Sequence, residues 1–314
     1  MANGSDNLKD IKLVISGLDN AGKTSFLIAL RHKYDFYERV KKLKPTIKID
    51  YSSFNFLKKY LISMWDMGGQ AKYRGIYIKY PIYFEETDFL YFIIDIQDEL
   101  KFETAVHYLH EILDIYLDLE YSNEVIICFN KYDPKYKDNQ EFTDRAEMLK
   151  NLVLNQNKDM KFKFFKTSIY DISLLSKAMS YSLSKLLNLE HINAKLKSFI
   201  KDYGSKYAIL YSNSGLIISD HYTETMDARD FDEIISSKIS DDLKFFQRLA
   251  DENVTIDGRL TCVENDMEYV KKYEIEINNI KDLFYLGVSA PPKRLKEIKE
   301  ELENFQKVLE NTFS

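Results

Sequence analysis

The stretch with the clearest chemical meaning is GLDNAGKT, residues Gly17–Thr24. It matches G-x-x-x-x-G-K-S/T, a loop whose backbone N–H groups, lysine and hydroxyl bind a phosphate chain and its metal ion. Such a loop follows a strand and opens a helix, and the apolar residues Ile11–Ser16 and the helical pattern Lys23–Tyr37 predict both. Only 10 of the 314 residues are glycine, and Gly17 and Gly22 are two of them, which disfavours a chance match. We predict a nucleotide site here.

Two side chains of this loop have distinct predicted roles. Lys23 would reach the β- and γ-phosphates, and the Thr24 hydroxyl would bind Mg²⁺. A second threonine, Thr46, follows the first helix on a polar loop, where it could complete the Mg²⁺ shell and sense the γ-phosphate. The other loop residues predicted to contact the nucleotide are Asp19, Asn20, Ala21 and Ser25.

A second chemical signal is WDMGGQ, at the end of the predicted strand Tyr60–Trp65. Asp66 could hold Mg²⁺ through water, Gly69 would let the chain approach the γ-phosphate, and Gln70 could orient the attacking water. The alternative is a tight Gly-Gly turn after a buried strand. Residues 71–86 are rich in tyrosine and lysine, and we expect a mobile segment whose order depends on the nucleotide.

Recognition of the base is predicted at NKYD, residues 130–133. A carboxylate can accept hydrogen bonds from N1 and the exocyclic amine of guanine, whereas adenine has no such pair of donors on that edge. Asp133 therefore predicts GTP as the nucleotide and disfavours an ATPase or a kinase. Asn130 and Lys131 would brace the loops and cover the base.

The elements that must position these residues alternate between strand and helix, which is typical of an α/β domain with a mostly parallel sheet. Strands are predicted at Ile11–Ser16, Tyr51–Lys58, Tyr60–Trp65, Phe89–Asp95, Glu124–Phe129 and Lys161–Lys166, and helices at Lys23–Tyr37, Glu99–Leu117, Phe142–Leu154 and Ile172–Leu187. His107 and His110 on the second helix are expected to be surface or half-buried residues rather than metal ligands. After the last strand, a backbone N–H at Ser168 or Ile169 could reach the guanine carbonyl.

The second half shows a different order and no catalytic constellation, which favours an interaction domain. Residues 186–203 have an apolar helical face, and we expect a stiff helical joint near Glu190. The further predicted elements are a hairpin over Lys206–Ser212 and Gly215–Tyr222, a helix at Ala228–Asp251, strands at Thr255–Glu264, Tyr269–Ile277 and Leu283–Ser289, and a final helix after Pro291-Pro292. The domains are therefore predicted at residues 1–189 and 190–314.

Composition limits the class of protein. Length and a hydrophobic fraction of 45% allow two domains, and a net charge of -6 disfavours nucleic-acid binding. No apolar run approaches the ~20 residues of a membrane span, and neither a signal peptide nor a lipidation motif is evident, so we expect a cytoplasmic protein without an intrinsic membrane anchor. Cys128 and Cys262 are expected to be buried free thiols.

Taken together, the motifs resemble those of Ras-superfamily GTPases. GLDNAGKT, PTI and WDMGGQ resemble the Arf branch, whereas the tyrosine-rich span after WDMGGQ, the turn FFKTSIYD and the strand end SDHY resemble the Rag/Gtr GTPases. The resemblance implies a nucleotide-dependent switch with a smaller α+β roadblock/longin-like domain at its C-terminus. It also implies homo- or heterodimerisation through that domain, GTPase-activating and roadblock/longin-type partners, and recruitment to a membrane surface by partners.

Two positions depart from the family pattern. Asp19 lies close to the expected γ-phosphate and would limit the access of an arginine finger. Ile169 stands where many Ras-like proteins place a lysine over the base, which implies reduced affinity for guanine. The leading hypothesis is slow GTP hydrolysis to GDP and phosphate, with Gln70 and Lys23 as catalytic residues. The alternative is a non-catalytic scaffold subunit that holds guanine nucleotide permanently.

Overall fold

The computed structural model describes residues 8–31, 42–56, 59–156, 160–187, 189–213, 215–223, 228–263, 266–277 and 280–313. The chain divides into two compact units, Met1–Ala178 and Met179–Ser314. The first contains a mostly parallel sheet with helices and the second an antiparallel sheet with helices, which confirms the predicted fold class. The domain boundary between residues 189 and 190 stays a prediction.

Six strands form the sheet of the first unit: β1 (Lys9–Ser16), β2 (Ile49–Phe56), β3 (Tyr60–Met67), β4 (Phe89–Asp95), β5 (Val125–Asn130) and β6 (Phe162–Lys166). Their order across the sheet is β2-β3-β1-β4-β5-β6. β2 runs antiparallel to β3, and the other neighbouring pairs are parallel. β4 and β5 are near-continuous apolar runs, as central parallel strands require. Every residue of β5 is buried, and so is every residue of β4 except the half-buried Asp95 at its end.

The helices of this unit are α1 (Lys23–Arg31), α2 (Ala71–Lys79), α3 (Phe102–Asp118), α4 (Gln140–Gln156) and α5 (Ile172–Lys185), which extends into the second unit. α3 buries one apolar face, including Leu109, Ile112 and Leu113, in the core beside the sheet. On the same helix His107 is exposed and His110 is half-buried, which confirms their predicted placement.

The segment after WDMGGQ has regular structure: α2 is followed by a short 3₁₀ turn at Pro81–Tyr83. Tyr73 and Tyr77 are its buried residues, and the Tyr77 hydroxyl donates to the Lys48 carbonyl at 2.7 Å. The dependence of this order on nucleotide stays a prediction. The predicted continuation of α1 to Tyr37 lies outside the described residues.

The second unit contains α6 (Glu190–Tyr203), β7 (Tyr207–Ser212), β8 (Ile217–Tyr222), α7 (Ala228–Asp251), β9 (Gly258–Val263), β10 (Asp266–Ile277), β11 (Ile280–Ala290) and α8 (Leu295–Phe313). The strand order is β8-β7-β11-β10-β9, and every neighbouring pair is antiparallel. β8 and β9 are thus the edges of this sheet. α6 ends at Gly204, whose φ of 70° is a left-handed helix cap.

Two sequence-based expectations are wrong here. The helix expected from Leu186 begins at Glu190, because the N–H groups of Leu186 and Leu187 bond to carbonyls three residues earlier and close α5 in a turn. Cys128 is a buried free thiol as predicted, but Cys262 is exposed, because it lies on the edge strand β9. No helix among the described residues combines the length and apolar character needed to cross a membrane.

Candidate nucleotide-binding site

The sheet topology brings the predicted motifs together. Because β1, β3, β4, β5 and β6 run parallel, their carboxyl ends lie at the same edge, which is where ligands bind in open α/β sheets. β1 leads into Gly17–Thr24, β3 into WDMGGQ, β5 into NKYD and β6 into the turn that begins at Thr167. The register pairs Ile15 with Asp66 and Asp95 with Asn130, so the motifs follow from neighbouring strand ends.

The loop Gly17–Thr24 curls in the way that its glycines allow. Gly17 has φ 140° and Gly22 has φ 90°. A Cβ atom at Gly17 would lie 2.3 Å from the Ile93 carbonyl oxygen, and one at Gly22 would lie 2.5 Å from the Asn130 amide nitrogen. Both positions therefore require glycine for conformation and for space.

Lys23 lies under this loop, with its side chain turned back across it. Its Nζ donates to the carbonyl oxygens of Gly17 at 3.1 Å and Leu18 at 2.7 Å. Burial lowers the pKa of Lys23 to about 8, against the opposing charges of Asp66 and Asp19. The negative charge of a bound phosphate chain would stabilise the charged ammonium and so offset the energetic cost of its burial.

Three oxygen-bearing side chains meet beside the loop. Thr24 Oγ1 lies 2.5 Å from Asp66 Oδ2 and 2.8 Å from Thr46 Oγ1, and Thr46 Oγ1 lies 3.3 Å from the same carboxylate oxygen. Among the described residues, the buried Asp66 Oδ1 has no hydrogen-bond partner. Burial raises the pKa of Asp66, and the bonds from the threonines oppose that rise.

This donor set fits Mg²⁺. The ion prefers oxygen ligands, usually takes only one or two carboxylates from the protein, and fills its remaining positions with water and substrate phosphates. The orphaned Asp66 Oδ1 is an acceptor that a hydrated cation would satisfy.

Gly69 packs directly against the phosphate loop. Its carbonyl oxygen accepts hydrogen bonds from the Asp19 N–H at 3.1 Å and from Arg74 Nε at 3.0 Å. Gln70 follows in an extended conformation as the N-cap of α2, with φ -66° and ψ 143°. The start of α2 is thereby held next to the loop, and Gln70 is brought beside Asp19.

An open cavity of about 330 Å³ lies between these segments. It joins the phosphate loop, the threonine loop and the end of WDMGGQ in one space. Its lining consists of Asp19, Asn20, Gly22, Lys23, Thr24, Ser25, Leu43, Lys44, Pro45, Thr46, Gly69 and Gln70. All of these except Leu43, Lys44 and Pro45 are residues that the motifs predict.

The NKYD loop adjoins the phosphate loop. Asn130 Nδ2 donates to the Ala21 carbonyl at 2.8 Å, and Asn130 Oδ1 accepts from Thr167 Oγ1 at 3.1 Å. Lys131 has a left-handed φ of 62°, and its ammonium forms an ion pair with Asp95 at 2.6 Å. Asn130 thus ties together three of the predicted loops.

Asp133 lies beside the turn that contains Ser168 and Ile169. Its Oδ1 accepts from Ser168 Oγ at 2.7 Å, and its Oδ2 accepts from Gln97 Nε2 at 3.1 Å. Ser168 Oγ also accepts from the Tyr170 N–H at 3.2 Å, and Ile169 is half-buried. The predicted base-binding residues therefore lie in one group, and their contacts with a base stay a prediction.

The sequence motifs missed two residues of this group, Asp95 and Gln97. Both lie at or just beyond the end of β4, and the Gln97 amide also donates to the Lys131 carbonyl at 2.8 Å. The signal that could have found them is their position after a predicted strand, because β4 and β5 are parallel neighbours and their carboxyl ends carry Asp95 and Asn130 side by side.

The chain is similar in sequence to known GTP-binding proteins. The Gtr1/RagA G protein conserved region matches residues 12–242. The Ras-related GTP-binding protein B of Rattus norvegicus and that of Mus musculus are each 23% identical over 195 residues, which is 60% of this chain and 51% of the relative. The chain thus spans about half the length of these curated relatives.

Among solved structures, the Arl6 BBS3 small GTPase from Trypanosoma brucei with bound nucleotide analogue GppNp is 18% identical, with a TM-score of 0.45, and the alignment covers 56% of this chain and 97% of that one. The family match rests on the sequence region instead, which includes the phosphate loop, WDMGGQ, NKYD and part of the second unit. Because this region covers more than half of the chain, the protein belongs to the Gtr1/RagA G protein family.

Proposed function

We propose that the chain is a GTP-binding and GTP-hydrolysing molecular switch of the Rag/Gtr type. The observation that carries the proposal is that one cavity is lined by the phosphate loop, Thr46 and Gln70. A nucleotide whose phosphates lie in this cavity would extend past Ala21 and Asn130 toward Asp133, since Asn130 contacts Ala21. The site therefore offers recognition of phosphate at one end and of guanine at the other.

Binding uses groups with complementary chemistry. The backbone of Gly17–Thr24, the N-terminus of α1 and the Lys23 ammonium would hold the phosphates, with Asp19, Asn20, Ala21, Gly22 and Ser25 around them. Asp133 would accept two hydrogen bonds from guanine, while Ser168 and Ile169 would adjoin its carbonyl. Thr24, Thr46 and Asp66 would hold Mg²⁺, which supplies charge neutralisation at the phosphates when bound.

Hydrolysis would require little covalent chemistry from the protein. Water attacks the γ-phosphorus, the bond from that atom to the bridging oxygen breaks, and GDP and inorganic phosphate result. Gln70 would orient the water, while Lys23 and the loop N–H groups would stabilise the developing negative charge. Arg74 is nearby, but its guanidinium donates to Gly69 and lies 4.9 Å from the centre of the Tyr108 ring. We therefore propose slow unaided turnover, because this guanidinium is engaged in contacts of its own and the described part of the chain offers no evident arginine finger.

The second unit would serve association as a roadblock/longin-like domain. Its sheet has two edges, β8 and β9, and edge strands carry backbone groups that another chain can pair with. A homo- or heterodimer through residues 190–314 is therefore proposed, together with GTPase-activating and roadblock/longin-type partners. The place of action would be the cytoplasm, with recruitment to a membrane surface by such partners.

Single-turnover hydrolysis of GTP by the full chain tests the switch against the scaffold alternative. Protein loaded with GTP should convert it slowly to GDP, measured by extraction of the nucleotide at successive times. Gln70→Leu should bind GTP near-normally and hydrolyse it much more slowly, since the water-orienting amide is lost. Gln140→Leu is the matched control, because the Gln140 side chain is exposed on α4, where it donates to Asp144. Unchanged GTP in the parent protein would favour the scaffold, and an unaffected Gln70 variant would make Gln70 a turn residue.

A further inference from the structure

The residues just beyond β4 hold the base-recognition loop from outside the NKYD motif. The Gln97 side-chain amide donates to Asp133 Oδ2 at 3.1 Å and to the Lys131 carbonyl at 2.8 Å. A glutamine amide group has two N–H donors, so these two bonds use both of them. Gln97 therefore bridges the main chain and the carboxylate of the loop that is proposed to read the base.

Gln97 is itself held in place. Its N–H donates to Asp95 Oδ1 at 2.9 Å, and the other oxygen of Asp95 pairs with the Lys131 ammonium at 2.6 Å. Arg145 Nη1 donates to the Gln97 carbonyl at 3.4 Å, and the Ile96 N–H donates to the Asn130 carbonyl at 3.0 Å. The main chain at Ile96 and the side chain of Gln97 are thus both bonded to the NKYD loop.

This arrangement determines the orientation of the Asp133 carboxylate. The torsion that rotates a carboxylate is broad, so an aspartate alone would sample many planes. Here Ser168 bonds one oxygen at 2.7 Å and Gln97 bonds the other, which restrains the plane from both sides. Each oxygen keeps a further lone pair, so the carboxylate can still accept from two donors of a base.

We propose that Gln97 is a specificity-determining positioning residue that aligns Asp133 for guanine; this inference rests on the proposed function of the site. A bidentate contact depends on the plane of the carboxylate more strongly than a single hydrogen bond does. Loss of the Gln97 amide should therefore weaken a base with two donors more than a base with one. Guanine presents N1–H and the 2-amino group, whereas hypoxanthine presents N1–H alone.

The test is competition of GDP, IDP and ADP against labelled GDP on the full chain. Gln97→Leu removes the donor, and Gln97→Glu keeps the length but places a second carboxylate against Asp133. We expect Gln97→Leu to weaken GDP about tenfold, the size expected for a hydrogen bond to a charged group, and IDP by clearly less. Gln97→Glu should lose more, because like charges repel.

The matched control is Gln247→Glu on α7, which changes a glutamine that donates to an exposed aspartate, Asp251, at 2.9 Å. It should leave all three affinities unchanged. In an Asp133→Ala background, Gln97→Leu should cause no further loss of GDP, because its effect passes through the missing carboxylate.

Three outcomes would overturn the inference. Equal losses of GDP and IDP in Gln97→Leu would show a merely structural loop contact, and unchanged GDP affinity would show no contact of consequence. If Gln97→Leu weakens GDP as much in the Asp133→Ala background as in the parent protein, Gln97 acts through a contact other than Asp133. ADP binding as tight as GDP binding in the parent protein would instead overturn the proposed guanine site itself, so the two failures are distinguishable.

Discussion

The main-chain N–H of Asp19 donates a hydrogen bond of 3.1 Å to the carbonyl oxygen of Gly69. This bond joins the phosphate loop directly to the segment that leads into α2. The contact is close enough that a Cβ atom at Gly69 would lie 2.3 Å from the Asp19 nitrogen and 2.3 Å from the Leu18 carbonyl carbon. Glycine at this position is thus a packing requirement, and the two proposed phosphate-binding segments cannot move independently without breaking the bond.

Gly69→Ala should separate these segments. The overlap is with backbone rather than with a flexible side chain, so we expect a loss of about 1–3 kcal/mol in stability of the first unit and weaker binding of GTP relative to GDP. Thermal unfolding followed by fluorescence of Trp65, the single tryptophan, reports the first property, and nucleotide competition reports the second.

Gly75→Ala is the control for Gly69→Ala. A Cβ atom at Gly75 meets no atom within 4 Å, so alanine there in α2 should be neutral or stabilise by roughly 0.5–1 kcal/mol. If the Gly69 variant is as stable as the Gly75 variant and binds GTP equally well, the contact with the phosphate loop has no energetic weight.

Base choice is tested at Asp133. In Asp133→Asn, the carboxylate that would accept from guanine N1–H and its 2-amino group becomes an amide, so GTP should weaken by on the order of 2 kcal/mol or more. Xanthosine triphosphate should gain, since its base has a carbonyl in place of the amine. Competition against labelled GDP measures both changes.

Asp144→Asn changes an exposed aspartate on α4 that accepts from Gln140, and it should leave base choice unaltered. Equal displacement of labelled GDP by ATP and GTP in the parent protein would exclude guanine selectivity, and an Asp133 variant with parental GTP affinity would remove Asp133 from the site.

Asp133 and its hydrogen-bond partner Gln97 show what a single sequence can and cannot reveal. The position of Asp133 at the sheet edge was predictable because NKYD is a local string with a chemical meaning, and the strands before it have the apolar character of a buried parallel sheet. Gln97 was not, because its bond to Asp133 spans 36 positions in the chain and depends on the register that pairs Asp95 with Asn130. Composition around Gln97 carries no sign of that pairing.

The same distinction applies to the fold. Element types followed from periodicity, and α7 was predicted with its observed bounds, Ala228–Asp251. The turn at Leu186 was not foreseen, since the residues on both sides favour helix and the hydrogen bonds that close the turn leave no mark in the sequence. Exposure of Cys262 was missed for another reason: an apolar residue on a strand is buried or exposed according to its place in the sheet, and β9 is an edge.

The proposed metal site gives a prediction about magnesium dependence. Thr24→Asn removes the hydroxyl that lies 2.8 Å from Thr46 Oγ1 and 2.5 Å from Asp66 Oδ2. Mg²⁺ affinity should fall roughly 10–100-fold, and GTP should weaken more than GDP, since the γ-phosphate also contacts the ion. Affinities measured in Mg²⁺ and in EDTA should differ strongly for the parent protein and little for the variant.

Thr143→Asn, at an exposed threonine on α4, controls for the substitution itself and should keep the parental response to EDTA. An EDTA effect of equal size in the parent and in Thr24→Asn would remove Thr24 from the metal site.

The last prediction concerns the second unit, where α7 carries a buried carboxylate against the sheet. Asp242 is 1% exposed, and it accepts from the Tyr211 hydroxyl at 3.1 Å and from Arg259 Nη1 at 2.8 Å, with the Lys238 ammonium 3.8 Å away. Burial raises the pKa of Asp242, and the two cations oppose that rise. Asp242→Ala leaves the buried Tyr211 hydroxyl and the partly buried Arg259 guanidinium without this partner, so the second unit should lose about 3–5 kcal/mol.

Asp251→Ala is the control. It removes an acceptor of an exposed bond from Gln247, so it should cost little stability. Because Trp65 lies in the first unit, its fluorescence and GDP binding should stay near parental in Asp242→Ala, while hydrogen exchange of peptides covering β7 and α7 should accelerate. Parental protection in those peptides would show that the cluster around Asp242 contributes no net stability, and a matching loss in the first unit would show that the two units unfold together.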